Sequence, residues 1–119
     1  MTTNTTNTTN TPGVTEVTDA DFATEVLGSG PPVLVKFTAE WCGPCRQLKP
    51  VLGALAEEEA GRLRIVEIDV DRNPGTTVRY GVLATPTLMV FRAGEPVKSL
   101  VGARPKRRLR EELEDVLGS

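Results

Sequence analysis

Apolar positions fall in short blocks whose spacing changes along the chain. Val33-Leu34-Val35-Lys36-Phe37 is short, β-branched and almost wholly apolar, the pattern of a buried strand, with Pro31-Pro32 leading into it. Leu63 to Val70 carries Leu63, Ile65, Ile68 and Val70 and predicts a second interior strand. Thr87 to Arg92 predicts a third, and Ala93-Gly94-Glu95 turns the chain back into Val97 to Val101 as an antiparallel hairpin. Between these blocks the period lengthens. Leu48, Val51, Leu52, Leu55 and Ala56 recur at i, i+3, i+4, i+7 and i+8, one apolar helix face that Gly61 closes and Pro50 kinks. Leu109, Leu113, Val116 and Leu117 repeat that spacing in a last helix opened by Pro105. Two shorter helices complete the set. Thr18 caps one that carries Phe22, Val26 and Leu27 and stops at Gly28-Ser29-Gly30; Asn73 caps the other, with Pro74 as its first residue, running to about Tyr80. The order strand–helix–strand–helix, hairpin, helix implies an α/β domain, a central mixed β-sheet of four to five strands flanked by about four helices that cover both faces.

A chain of 119 residues supports one core, not two. Residues 14–119 are expected to form the domain. Residues 1–13 are expected to be a disordered tail, since three Thr-Thr-Asn repeats offer almost nothing to bury against the entropy of ordering. Asn4 and Asn7 match the glycosylation pattern, but the start lacks the basic and apolar regions of a secretion signal, so a cytoplasmic protein is expected. With 14 basic and 16 acidic residues, the charge balance gives no reason to expect nucleic acid or an anionic membrane as partner. Nor is any apolar run long enough for a membrane span. Histidine is absent, which excludes Ser-His-Asp and Cys-His catalysis and the His-containing zinc sites within this chain. The basic run Lys106, Arg107, Arg108 and Arg110, followed by Glu111, Glu112, Glu114 and Asp115, reads as a solvated helix face with i, i+4 pairs.

The only cysteines are Cys42 and Cys45, in Trp41-Cys42-Gly43-Pro44-Cys45, between a buried strand and a long helix. Two intervening residues bring the sulfurs within bonding range in one helical turn. At a helix N-terminus, unpaired backbone N–H groups favour the thiolate of Cys42, the expected exposed attacking sulfur, with Cys45 shielded and acting second. Pro44 fits the first turn, where its missing N–H costs nothing. The same spacing also serves two buried structural thiols, or half a zinc site completed by a second chain. In a reducing compartment, with no further ligand in the chain, it points to a redox dithiol; no metal is expected.

Lys36 to Cys45, Asp71-Arg72-Asn73-Pro74-Gly75-Thr76, Ala84-Thr85-Pro86-Thr87 and Val101-Gly102-Ala103 together resemble the thioredoxin family, in order and spacing, over about Val14 to Leu117. The resemblance implies a thioredoxin fold and a protein-disulfide reductase. It carries catalytic roles to Cys42 and Cys45, which alternate between dithiol and redox-active disulfide, and supporting roles to Trp41, Gly43 and Pro44. It makes Pro86 a cis-proline beside the dithiol, and Trp41, Val70, Thr85, Pro86, Gly102 and Ala103 the surface on which disulfide clients dock. No cofactor is expected in the chain itself, which has no glycine-rich dinucleotide motif; electrons are expected from NADPH through a separate flavoprotein thioredoxin reductase. A monomer is expected. The alternative is a binding module of the same fold whose partner surface matters more than its thiols.

The chain departs from the family's pattern at one buried pair. Six positions before Cys42, where most members carry aspartate, stands Lys36; where they carry lysine on the neighbouring strand, stands Glu67. The simplest expectation is a retained ion pair with its charges exchanged. Lys36 is a poor base for Cys45, so the proton of Cys45 is expected to leave through Glu67 by way of water or through solvent alone. A cation near Cys45 should also make the protein somewhat less reducing. Thr38 stands where an aromatic often precedes the motif, and a local packing change is expected there.

Overall fold

A computed structural model of the chain describes residues 11–117. Five strands, β1 (Val14–Glu16), β2 (Val33–Thr38), β3 (Arg64–Asp69), β4 (Thr87–Arg92) and β5 (Glu95–Val101), form one sheet in the order β1-β3-β2-β4-β5. The first three are mutually parallel, β4 runs antiparallel to β2 and β5 antiparallel to β4, so the sheet is mixed. Helices α1 (Gly43–Glu58), α2 (Pro74–Arg79) and α3 (Lys106–Leu117) join it, with a single π-helical turn at Ala23–Leu27.

The period of two along each strand sorts the core into two layers. Leu34, Ile65, Leu88 and Val90 point to one face, where α1 contributes Leu48, Leu52 and Leu55 and α3 contributes Leu109, Leu113 and Val116. Val33, Val35, Phe37, Val66, Ile68, Met89 and Phe91 point to the other, under Phe22 and Val26 of the π turn and Tyr80 at the end of α2. Phe22, Tyr80 and Phe91 meet there with ring centroids 5.1–5.7 Å apart. Lys36 and Glu67 fall in register with Leu34 and Ile65, which turns both charged side chains toward α1.

Several local devices differ from the sequence expectation. Strand β1 has no periodicity to announce it; its three residues pair with Ile65, Val66 and Glu67, far along the chain. Thr18 is not the cap of the first helical turn: the Asp21 carboxylate accepts the Thr18 N–H at 2.7 Å, and the turn closes through an i→i+5 bond from Gly28 N–H to the Ala23 carbonyl. Asn73 does not cap α2 with its side chain, because that amide donates to the Asp69 carbonyl and accepts from the Asp19 N–H. Asp19 takes the capping role from outside, accepting the N–H groups of Gly75 and Thr76 and the Thr76 hydroxyl.

Helix α1 runs unbroken through Pro50, and the chain leaves it through Gly61 at φ +87°, a left-handed position that suits glycine. The hairpin turn is tighter than three residues: Ala93 and Gly94 both have positive φ, and Arg92 faces Glu95 directly. The expected tail lies outside the described residues as far as Asn10. Residues 11–13 turn against α1, with the Thr11 carbonyl accepting the Val14 N–H and Gly13 close to Ala56. On α3 the expected pairs Arg107–Glu111 and Arg108–Glu112 are present, but Lys106 and Arg110 reach instead to Glu58 and Glu59 and tie α3 to α1.

Candidate active site

Strand β2 ends at Thr38 and α1 begins at Gly43, so the Trp41–Cys45 motif lies at the carboxyl end of an interior parallel strand, where α/β sheets present their chemistry. Cys42 is the N-cap of α1, with extended backbone, and Gly43 and Pro44 fill the first turn. Cys42 and Cys45 are joined as a disulfide, their Cα atoms 5.2 Å apart. The Cys45 N–H donates to Cys42 Sγ at 3.1 Å, and Pro44 has no N–H to leave unpaired. Accessibility does not separate the two sulfurs as the sequence suggests. Cys42 is 3% exposed and Cys45 1%, because both pack in a small apolar cluster with Ala39 and Val70. Position separates them instead: Cys42 holds the helix cap and receives the hydrogen bond, and Cys45 lies one turn inside. Gly43 leaves the approach open, since a Cβ there would meet nothing within 4 Å.

Around the disulfide, Trp41 is 69% exposed and is not a core residue; its indole N–H donates to Asp71 Oδ2 at 2.8 Å. Trp41, Val70 and Thr85 line one shallow apolar cavity of ≈ 130 Å³. Thr85 Oγ1 is buried without a hydrogen-bond partner among the described residues. The Thr85–Pro86 bond is cis, and the Pro86 carbonyl accepts the Gly102 N–H at 2.9 Å, which brings those two predicted residues together. Gly102 and Ala103 do not line the cavity; Ala103 leans on the α1–α3 core. Sequence reasoning missed Val82, Leu83 and Ala84 in its wall, although Leu83 is 97% exposed. The available signal was the apolar run Val82-Leu83-Ala84 immediately before Thr85-Pro86.

Behind Cys45 lies the exchanged pair. Lys36 and Glu67 are register partners on β2 and β3, 1% and 5% exposed, with Nζ 3.7 Å from Oε1. Lys36 Nζ also donates to the Cys45 carbonyl at 2.9 Å. Burial drives the two groups toward neutrality, Lys36 below the ordinary lysine range and Glu67 above the ordinary carboxyl range, and each partner's charge opposes the other's drift. A recess of ≈ 230 Å³ opens beside Glu67, walled by Cys45, Glu67, Thr38 and Lys49 among others. Among the described residues no cluster of His, Cys, Asp and Glu is arranged to hold a metal ion, and no helix is long and apolar enough to cross a membrane.

A mixed sheet of this order with a bonded Cys-x-x-Cys pair at a helix N-terminus defines a thiol–disulfide oxidoreductase. Comparison with known proteins agrees. The sequence model of the Thioredoxin family matches residues 13–115. A thioredoxin of Mycobacterium tuberculosis is 52% identical over 101 residues, 85% of this chain and 87% of that protein. One of Streptomyces clavuligerus is 53% identical over 93 residues, 78% and 86% of the two chains, and one of Alicyclobacillus acidocaldarius 46% identical over 101 residues, 85% and 95%. The chain belongs to the thioredoxin family, and its activity is protein-disulfide reduction. Membership implies a reductase and disulfide-bearing clients as partners and no bound cofactor.

Proposed function

We propose that Cys42 is the attacking sulfur, Cys45 the resolving one, and that electrons reach them from NADPH through a separate flavoprotein thioredoxin reductase. The observation that carries this assignment is the hydrogen bond from the Cys45 N–H to Cys42 Sγ at the cap of α1. In the reduced protein the same N–H and the helix dipole favour a thiolate at Cys42. That thiolate attacks a client disulfide, forming a Cys42–client bond and releasing one client thiolate. Cys45 then attacks Cys42 Sγ, the Cys42–client bond breaks, the second client thiolate leaves, and the Cys42–Cys45 bond closes. Gly43 and Pro44 shape the turn that allows this, and Lys36 and Glu67 support it from behind.

Clients dock on Trp41, Val70, Thr85 and Pro86, with Gly102 and Ala103 flanking; the exposed Trp41 and the shallow cavity beside it support a broad, apolar mode of recognition. The working unit is a monomer comprising residues 14–119, supported by a sheet whose two faces are both covered by this chain's own elements. A cytoplasmic setting suits a close-spaced pair that must be reduced to act. The test is NADPH oxidation with insulin as disulfide substrate and a thioredoxin reductase. Steady turnover that disappears in Cys42→Ser supports the reading. Absence of turnover, with both thiols still titratable, refutes the assigned electron donor.

A further inference from the structure

The end of the sheet that carries the dithiol is uneven in charge. Strands β3, β2 and β5 finish there and β4 begins there, so sheet order fixes the order of groups across it. Val70 and Asp71 follow β3, the Trp41–Cys45 motif follows β2, Pro86 precedes β4, and Gly102, Ala103 and Arg104 follow β5. With neighbouring strands about 4.8 Å apart, the chain after β3 and the chain after β5 stand about 14 Å from each other, on opposite sides of the dithiol. On the β3 side the Asp71 carboxylate accepts the Trp41 indole N–H. On the β5 side the charge is reversed.

Arg104 is held in place there. Nη1 donates to Glu112 Oε1 and Nη2 to the Val101 carbonyl, both at 2.7 Å, and the side chain is only 17% exposed. These bonds lay the guanidinium along Gly102, where a Cβ would meet Nη2 at 4.0 Å. Gly102 in turn donates its N–H to the Pro86 carbonyl, which ties the cation to the cis-proline. A guanidinium carries five N–H groups, and among the described residues these two acceptors leave the rest of the fork unused. Nor does Glu112 neutralise the flank, because it also faces Arg108 Nε at 3.6 Å, one carboxylate against two guanidinium groups. Helix α3 continues the bias, opening on Lys106, Arg107 and Arg108 with no acid in its first turn. The helix dipole favours the reverse order, so helix stability does not account for it.

We propose that Arg104 is a specificity-determining residue for disulfide reduction: it receives a carboxylate beside the client's cysteine, so that disulfides flanked by aspartate or glutamate are reduced in preference to neutral or basic ones. The proposal rests on clients docking across Pro86 and Gly102. A client chain lying there passes the guanidinium, whose remaining N–H groups offer charge-assisted bonds in a planar fork. Because Glu112 and Val101 already hold that fork, little side-chain freedom is lost on contact. Asp71 on the opposite flank repels a client carboxylate, so the two flanks together set which way an acidic client lies. The exchange at sulfur is unchanged; the charge acts on encounter and docking.

The experiment mixes excess reduced protein with peptide pairs joined by one disulfide, one chain bearing a fluorophore and the other a quencher. The pairs are identical except for Glu, Gln or Lys placed one or two residues to either side of the cysteine. The gain in fluorescence gives a second-order rate constant without any reductase. In the unaltered protein the Glu peptide is expected to react roughly fivefold faster than the Gln peptide from at least one position, and the Lys peptide more slowly than both. That advantage should shrink as salt is raised from about 0.05 M to about 0.5 M. Arg104→Gln should bring the Glu-to-Gln ratio close to one. Glu112→Gln removes the competing carboxylate and should raise the ratio, which keeps the test open if Arg104→Gln does not fold. A merely structural role for Arg104 predicts instead that both variants slow every peptide and leave the ratio as it was. A ratio near one in the unaltered protein at low salt, a ratio that persists in folded Arg104→Gln, or one that fails to rise in Glu112→Gln overturns the proposal. So does an equal loss in Arg107→Gln, which would assign the effect to the general field of α3. Failure of the unaltered protein to reduce the Gln peptide overturns the docking reading instead.

Discussion

Replacing Lys36 by methionine tests whether the exchanged pair acts as a buried ion pair. The substitution keeps most of the volume of a side chain that is 1% exposed, but it leaves the Glu67 carboxylate, 5% exposed, with no counter-charge at 3.7 Å and takes a donor from the Cys45 carbonyl. Breaking one partner of a buried pair costs about 3–5 kcal/mol, whereas replacing both with apolar residues of similar volume is commonly neutral or stabilising. Lys36→Met should therefore lower the midpoint of thermal unfolding by roughly 12–20 °C, at about 4 °C per kcal/mol, and Lys36→Met/Glu67→Leu should recover most of that.

The pH dependence gives a sharper criterion. In Lys36→Met the folded-state pKa of Glu67 climbs further above its ordinary 4.5, so the folded protein binds more protons than the unfolded chain and stability falls as pH rises through that window. The penalty is smaller at about pH 5 than at about pH 8. In Glu67→Gln the converse holds. The folded-state pKa of Lys36 falls further below 10.5, the folded protein binds fewer protons, and stability rises with pH. Urea unfolding of the reduced proteins, followed by far-ultraviolet circular dichroism at both pH values, reads the two slopes. Slopes of the same sign, or a cost for Lys36→Met below about 1 kcal/mol, would refute the ion-pair reasoning.

Cys45→Ser should accumulate client proteins covalently on Cys42 and Cys42→Ser should accumulate none, as read on non-reducing gels; the reverse pattern would exchange the two roles. Ala93 occupies the first position of a two-residue turn at φ +53°, so Ala93→Asn should raise stability by about 0.5–1 kcal/mol in urea unfolding, and a loss would contradict the turn assignment. Leu113 is fully buried between α3 and the sheet, and Leu113→Ala should cost about 2–5 kcal/mol by the same measurement.

Much of this architecture is written in local pattern. Helices α1 and α3 follow from apolar residues every three or four positions, and β2 and β4 from short β-branched runs, because burying a single face or a single interior strand leaves its period in the sequence. The dithiol is equally legible, since the spacing of Cys42 and Cys45 and the strand before them suffice to place both sulfurs at a helix start. What local pattern cannot report is which distant group completes a local need. Asn73 has the right type and position to cap α2, yet Asp19 does so, because the fold brings the two loops together and the Asn73 amide is spent on Asp69 and Asp19. Strand β1 is three residues long and exists through its partners on β3.

The same division runs through the site. The identities of Lys36 and Glu67 already implied a pair, because a lone charge in an interior strand is too costly to keep. That the pair faces α1, that its lysine holds the Cys45 carbonyl, and that its glutamate shares a recess with Cys45 were decided by tertiary structure. So were the burial of Cys42 and the exposure of Leu83 in the wall of the cavity beside Trp41. Chain-local propensity sets which way a side chain can point; only the parallel register of β2 on β3 and the packing of α1 across them determine what it meets there.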